Sequence, residues 1–223
     1  MNKLVNLIPA RFVRLALVAF LLLPQFGWAQ LFGDGGFQAG SYVLRDSRYT
    51  RMPAQLKMQG GSRLVVKYPD GKTAKLTPEQ VASFQIGSQH FVTASGFHVI
   101  GGIGGADIDL AFVEQLDSGQ VVLMRYAYSV GAPMAMNASG NMSPGGSASL
   151  STYVLSTPAI PGVTAAQAGA YSSGGKKFRE AVRPYFNGRP DLQKQLDDKR
   201  ITAENLPAAV RAFNTNSPFF APR

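Results

Sequence analysis

Cysteine is absent from this 223-residue chain. Its absence excludes disulfides, a thiol nucleophile, cysteine-ligated zinc and a lipid-modified N-terminal cysteine. Histidine is scarce, with two residues, and no serine lies in a Gly-x-Ser-x-Gly elbow. The sequence therefore displays no catalytic constellation, and we predict a non-enzymatic protein without a cofactor. An enzyme stays open as an alternative, because residues distant in sequence can converge in a fold.

Long hydrophobic runs are lacking as well. The apolar core at residues 15–23 is well short of the ~20 residues that a membrane-spanning helix needs. A basic stretch precedes this core and Pro24 ends it. The pattern is typical of a secretory signal peptide over residues 1–29, cleaved after Ala29. We therefore predict export to the periplasm or the extracellular space. An uncleaved N-terminal anchor is the alternative.

Acidic residues are fewer than basic ones, with 13 against 22 and a net charge of +9. The signal holds three of the basic residues and no acid, which leaves 19 against 13, or +6. A basic balance favours anionic partners, which outside the cell are lipid head groups, lipopolysaccharide and acidic glycans. Peripheral membrane association fits this balance, whereas nucleic acid is not expected after export. The alternative is an ordinary solvated surface, because the basic residues are scattered along the sequence.

Alternating apolar residues and tight-turn signals dominate residues 41–157. They predict an antiparallel β-rich body of about 7–9 short strands. Residues 30–40 are predicted as an irregular lead-in. The uncharged residues 131–149 are predicted as a flexible loop, and the turn at 158–162 is predicted to close the β part.

The first predicted hairpin surrounds Pro69-Asp70-Gly71. A three-residue loop with a type I turn and a bulge places Val66 opposite Ala74 and Leu64 opposite Leu76. The apolar residues then share one face. A one-residue slip would swap the faces, so pattern and turn chemistry agree only in this register.

The second predicted hairpin surrounds Asp117-Ser118-Gly119. With these three residues as the loop, Phe112 lies opposite Met124 and Leu110 lies opposite Tyr126. This register predicts a core face made of those four side chains.

Two to three short helices are predicted over residues 175–214, which makes the fold class α+β. The prediction rests on apolar residues three or four positions apart. They are Phe178, Val182, Tyr185 and Phe186, then Leu192 and Leu196, and last Leu206, Val210 and Phe213. Helices this short need the β body or each other for stability.

Three stretches resemble a family of uncharacterised secreted proteins of Bacteroidota-type bacteria. Residues 77–86 resemble the family's "tpedikgF" stretch, and residues 112–126 resemble its "FlevLvdGkvsLyry" hairpin. Residues 178–213 are similar to its closing helices, although Gly188 stands where the family usually has a cysteine. The resemblance implies an envelope or extracellular location and a β-rich body followed by helices. It implies no established activity.

Few residues suggest chemistry of their own. His90 and His98 make a poor metal site, and Asp107 and Asp109, which alternate around Ile108, are predicted to share a solvated strand face. Met134, Met136 and Met142 lie in the uncharged loop, and soft thioethers select Cu(I). These methionines are the predicted metal-site residues, with gap filling or an adaptable contact surface as the alternative.

Together these observations predict an exported envelope or extracellular protein that binds a partner or has a structural role. Two alternatives stay open. One is a small-ligand or lipid carrier with a cavity in the β body, and the other is Cu(I) binding by the methionine loop.

The signal prediction is tested by the mass of the chain after expression in a bacterium with its own export machinery. We expect the mature protein in the periplasmic or medium fraction, beginning at Gln30, because cleavage follows Ala29. An intact chain that keeps residues 1–29 and sediments with membranes would instead identify an anchor.

Overall fold

The computed structural model describes residues 36–47, 49–100, 105–131, 135–136, 142–143, 147–167 and 175–221. The predicted signal peptide lies outside the described residues. No helix among the described residues is long and apolar enough to cross a membrane.

A large antiparallel sheet and short C-terminal helices form the described fold, which confirms the α+β, β-rich class. The strands, more numerous than predicted, are β1 (Gln38–Leu44), β2 (Arg51–Gln59), β3 (Arg63–Lys67), β4 (Thr73–Leu76), β5 (Val81–Ile86), β6 (Gln89–Ala94), β7 (Phe97–Val99), β8 (Ala106–Ile108), β9 (Ala111–Asp117), β10 (Val122–Gly131), β11 (Ala135–Met136), β12 (Met142–Ser143), β13 (Ser147–Thr157) and β14 (Ile160–Ala166). Ten of them form one sheet in the order β14-β13-β10-β9-β6-β5-β1-β2-β3-β4. The strands β7–β8 and β11–β12 form two separate ribbons.

The β3–β4 hairpin has the predicted register. Leu64 pairs with Leu76, and Val66 pairs with Ala74. The turn residue Gly71 has a φ of +84°, a conformation that favours glycine. The Lys72 N–H donates to the Asp70 carboxylate at 3.0 Å, which closes the turn. The prediction succeeded here because every interaction that fixes this hairpin is local in sequence.

The predicted register of the β9–β10 hairpin is wrong. Met124 pairs with Gln115 rather than with Phe112, and a bulge separates Met124 from Leu123. Asp117 is the last residue of β9 and pairs with Leu123, so the loop is longer than three residues. The cause is distant in sequence: the backbone of Val121 bonds to the C-terminal helices instead of to β9.

The large sheet curves strongly, so that one of its faces encloses part of the hydrophobic core. Phe112 N–H, in β9, donates to the carbonyl of Gly61 in the β2–β3 turn at 2.8 Å. Three strands lie between β2 and β9 in the sheet order, so a flat sheet would hold them roughly 19 Å apart. A Cβ at position 61 would lie 2.5 Å from the Tyr126 ring, so this close approach requires glycine.

Aromatic side chains fill the inside of the curl. Phe84 stacks on Phe91 with ring centroids 4.6 Å apart, and Phe112 meets Phe84 edge-on at 5.0 Å. All three rings are fully buried. Burying side chains of this kind stabilises a fold by about 1.5–3 kcal/mol each. A ligand held inside the sheet would have to lie away from these three rings.

Strand structure extends beyond the predicted β body at both ends. Strand β1 begins within the predicted lead-in, and β14 follows the turn that was predicted to close the β part. The strand β14 contains Pro161 and Gly162, which weaken a strand pattern. Its place at the edge of the sheet explains how it tolerates proline, because one side of an edge strand has no ladder partner. Strand β13 also begins at Ser147, inside the predicted loop 131–149.

The predicted C-terminal helices are present. They are α1 (Lys176–Val182), continued by a 3₁₀ helix (Arg183–Phe186), α2 (Pro190–Asp197) and α3 (Leu206–Asn214). Their predicted apolar stripes face a common core with Val121, Leu123 and Leu155 of the sheet. The opposite face of the sheet packs against the β7–β8 ribbon through Phe97 and Val99.

Asn214 attaches the last helix to the sheet. Its side-chain NH₂ donates to the Val121 carbonyl and to the Asp117 carboxylate, both at 2.8 Å. Its side-chain oxygen accepts the Val121 N–H at 2.9 Å. The Asn214 side chain therefore bonds both the N–H and the C=O of Val121, which have no partner in β9.

Replacing Asn214 by Ala should lower the free energy of unfolding by about 1–3 kcal/mol, because it leaves partly buried donors and acceptors of Val121 unpaired. Urea unfolding followed by circular dichroism measures the change. Asn187→Ala, at an exposed position, is the matched control and should shift stability by less than about 0.5 kcal/mol. Equal effects of the two substitutions would contradict the role given to Asn214.

Candidate functional site

The outer face of β1–β4 collects basic side chains that are far apart in sequence. Side chains on a strand alternate between the two faces, and residues directly opposite each other share a face. We call this surface the basic face. Its basic residues are Arg51, Lys57, Arg63, Lys67 and Lys75.

Strand register places these residues together. Lys57 of β2 lies opposite Val65 of β3, and Val65 lies opposite Lys75 of β4. Lys67 and Arg63 are each two residues from Val65, so they share its face. Arg51 is six residues from Lys57 on the same strand and has the same orientation.

The strands that form this face carry no acidic residues. Strands β1 to β4 contain no Asp or Glu at any position. Asp70 lies nearby, in the β3–β4 turn, and pairs with Lys72 at 3.3 Å. Within the described part of the chain, neither Arg63 nor Lys75 forms an ion pair. The face is therefore positive without compensation from its own strands.

The charged ends of these side chains reach solvent while their stems cover the sheet. Arg51, Arg63, Lys67 and Lys75 are exposed, and Lys57 is half-buried. Val65, which points to the same outer face between two lysines, is only 6% exposed. Lysines at the flanking positions favour such burial, because long basic side chains lay their methylenes along apolar surface.

Phe37 adds an exposed ring to the basic face. It precedes β1 and is 37% exposed. The Lys67 ammonium lies 5.7 Å from the centre of its ring, a cation–π geometry. The face thus combines an aromatic ring with positive charge.

The charges are close enough to act together. Arg63 and Lys67 are diagonal neighbours of both Lys57 and Lys75 in the strand register, and diagonal positions are about 7–8 Å apart. That spacing is close to the Debye length of about 8 Å at physiological salt, whereas Arg51, six residues from Lys57, lies about 20 Å away along the strand. A large anion that approaches the face therefore meets several of the charges at once.

The inner face behind this surface is apolar and holds Tyr42. Burial raises the pKa of Tyr42 to about 12, and its hydrogen bond to Tyr68 and the charge of that phenol act in the same direction. Tyr42 therefore stays neutral over the physiological range and adds no negative charge behind the basic residues.

The predicted methionine site lies partly within the described residues. Strands β11 and β12 pair antiparallel with Met136 directly opposite Met142. Met134 lies outside the described residues. Cu(I) binding by these three residues stays a prediction, with two of them at facing positions on the backbone ladder.

The two histidines lie on separate strands. His90 Nδ1 is 3.1 Å from Gln115 Oε1. His98 lies opposite Asp107 in the β7–β8 ribbon, with Nδ1 and Oδ1 2.7 Å apart and both side chains exposed. Asp109 follows the end of β8, so it does not alternate with Asp107 along a strand as predicted.

No metal cluster emerges from these residues. Across the described ranges, no group of three or more His, Cys, Asp or Glu side chains is arranged to hold a metal ion. The contact between His98 and Asp107 was not predicted from the sequence, and it follows from the pairing of β7 with β8.

Comparison with known proteins adds no identification. A scan against protein-family models, a search of curated proteins and a search of solved structures each gave no match.

Sequence reasoning missed the basic face because its residues are separated by up to 24 positions in sequence. One signal could have found it. In the correctly predicted β3–β4 register, Lys67 and Lys75 already fall on the outer face, opposite the apolar residues.

Proposed function

We propose that this chain is an exported, non-enzymatic binding protein that associates peripherally with an anionic lipid surface through its basic face. The observation that carries the proposal is that five basic side chains share the outer face of β1–β4, on strands that contain no acidic residue. The resemblance to secreted envelope proteins and the signal-like N-terminus support the exported location.

The size of the electrostatic effect supports attachment. A lysine or arginine near an anionic bilayer contributes about 1 kcal/mol of binding free energy. Five such residues would contribute on the order of 5 kcal/mol, before the loss of translational freedom is subtracted. That total suits reversible, salt-sensitive association better than permanent anchoring.

The layout of the face favours a surface over a linear chain. Its charges spread over three adjacent strands, β2 to β4, as a two-dimensional array rather than along a groove. A surface that lies in the membrane interface combines basic residues with apolar rings such as Phe or Trp that contact the acyl chains. Phe37, beside Lys67, is an exposed apolar ring on the basic face.

Neutralising the face should weaken vesicle binding. We expect the triple variant Arg63→Gln, Lys67→Gln, Lys75→Gln to bind vesicles of equal parts phosphatidylcholine and phosphatidylglycerol about 100-fold more weakly, because three charges of about 1 kcal/mol each are lost. Vesicle co-sedimentation measures the affinity. Binding of the unmodified protein should fall steeply as salt increases and be weak on pure phosphatidylcholine.

The matched control removes the same charge elsewhere. Lys177, Lys199 and Arg200 are exposed residues of the helical segment, and their triple replacement by Gln should leave most of the affinity intact. Equal losses in the two variants would reduce the effect to net charge and overturn the proposal. Tight binding to soluble heparin, together with weak binding to anionic vesicles, would assign the face to acidic glycans instead.

Cu(I) binding is a second candidate function, favoured by one observation. Met136 and Met142 are direct partners in the β11–β12 ladder, and opposite positions on such a ladder have Cα atoms about 5 Å apart. Methionine supplies a soft thioether ligand of the type that Cu(I) prefers, and Met134, which lies outside the described residues, is the third predicted ligand.

The Cu(I) hypothesis predicts that replacing Met134, Met136 and Met142 by Leu removes binding, since leucine keeps the bulk and lacks the sulfur. Competition with a chromophoric Cu(I) chelator under anaerobic conditions measures the affinity. The control variant Met52→Leu, Met58→Leu changes methionines of β2 and should bind as the unmodified protein does. Unchanged affinity of the triple variant would eliminate the hypothesis.

A further inference from the structure

A cleft of about 750 Å³ opens between the sheet and the helical segment, and its described lining includes no residue of the basic face. It is bordered by the β9–β10 loop, the β13–β14 turn, the 3₁₀ helix, α2 and α3. Its volume lies within the range of about 300–1,000 Å³ that is typical of sites for small organic ligands.

The floor of the cleft is apolar and fixed. Val121, Ile160 and Phe213 contribute side chains to it, and the backbone of Val121 is held by Asn214. The neighbouring Tyr185 hydroxyl donates to the Leu155 carbonyl or to Thr164 Oγ1, which lie 3.1 and 2.8 Å away. Side chains held in this way do not have to be ordered when a ligand binds, which lowers the entropic cost.

The rim of the cleft is rich in hydrogen-bond donors. The carboxamides of Gln120, Asn187 and Gln193 lie there, and within the described chain their side chains form no hydrogen bond to another residue. Arg183 is the one charged side chain among the described lining residues. A ligand that fits such a rim carries oxygen acceptors and, for charge complementarity, a negative charge.

Arg183 is already engaged with one carboxylate. Its Nη1 donates to Asp197, and both side chains are about half exposed. A surface pair of this kind contributes little stability and opens readily. A guanidinium has five N–H donors in a planar fork, so one monodentate contact leaves donors for a second carboxylate. The fork matches a carboxylate better than a point charge does.

We propose that this cleft binds a monocarboxylate amphiphile, such as a medium-chain fatty acid, with its chain on the apolar floor and its carboxylate on Arg183. The carboxylate end of the ligand also contacts solvent, because the Arg183 side chain is about half exposed. This site is independent of the basic face. A protein that fails to bind vesicles would still bind the amphiphile.

Calorimetric titration with decanoate, below its critical micelle concentration, tests the site on the full mature chain. We expect saturable binding with one ligand per chain. Decanamide, which has the same chain and no charge, should bind at least about tenfold more weakly, because a hydrogen bond to a charged group contributes about 1.5–3 kcal/mol. Equal affinities for the two ligands would overturn the proposal, as would the absence of saturation.

Variants locate the site. Arg183→Gln should weaken decanoate binding about tenfold and leave decanamide binding unchanged. Arg183→Lys should fall between, because it keeps the charge and loses the planar fork. Arg200→Gln, which removes a charge outside the cleft, is the control and should bind as the unmodified protein does. An Arg183→Gln variant that is folded by circular dichroism and binds decanoate with full affinity would overturn the assignment.

A second readout does not depend on the arginine. Methyl resonances of Val121 and Ile160 should shift on addition of decanoate, while methyls on the basic face, such as Val65, should not. Shifts confined to Val65 and its neighbours would place the ligand on the basic face and overturn the proposal.

Discussion

The strict alternation of side chains along β1–β4 is the constraint on which the rest of the structure depends. One set of positions faces the interior of the curled sheet, where Leu56, Leu64 and Val66 are fully buried. The other set contains every basic residue of these strands, and four of the five basic residues are exposed. A shift of one residue in the β3–β4 register would bury lysines and expose leucines. The local turn at Gly71 therefore determines both the core and the proposed binding surface.

At the other end of the sheet, the core is formed between the sheet and the helical segment. Its apolar stripes cover one face of β9, β10, β13 and β14, while the β7–β8 ribbon covers the other. Strands β9 and β10 have consecutive buried residues, so both faces of these strands are covered. The division explains why the two proposed sites differ in character. One is an open charged face, and the other is a cleft where two layers meet.

Features fixed by neighbouring residues could be predicted from sequence, and features fixed by distant residues could not. The β3–β4 register and the apolar helical stripes follow from spacings of a few residues. The β9–β10 register failed because Asn214, 93 positions from Val121, takes over the bonds of the loop. The strand β14 was missed because Pro161 and Gly162 are tolerated only at a sheet edge. The basic face and the cleft both depend on which strands become neighbours, which no single segment reveals.

The edge position of β4 gives Lys75 a second role. An exposed edge strand offers unpaired N–H and C=O groups to another chain, and natural proteins block such pairing with short edge strands and lysines. Strand β4 has four residues and carries Lys75 near its centre. The side chain that contributes to the proposed attachment thus also protects the molecule against edge-to-edge aggregation. Loss of the Lys75 charge would therefore weaken the proposed lipid attachment and also make self-association through the β4 edge easier.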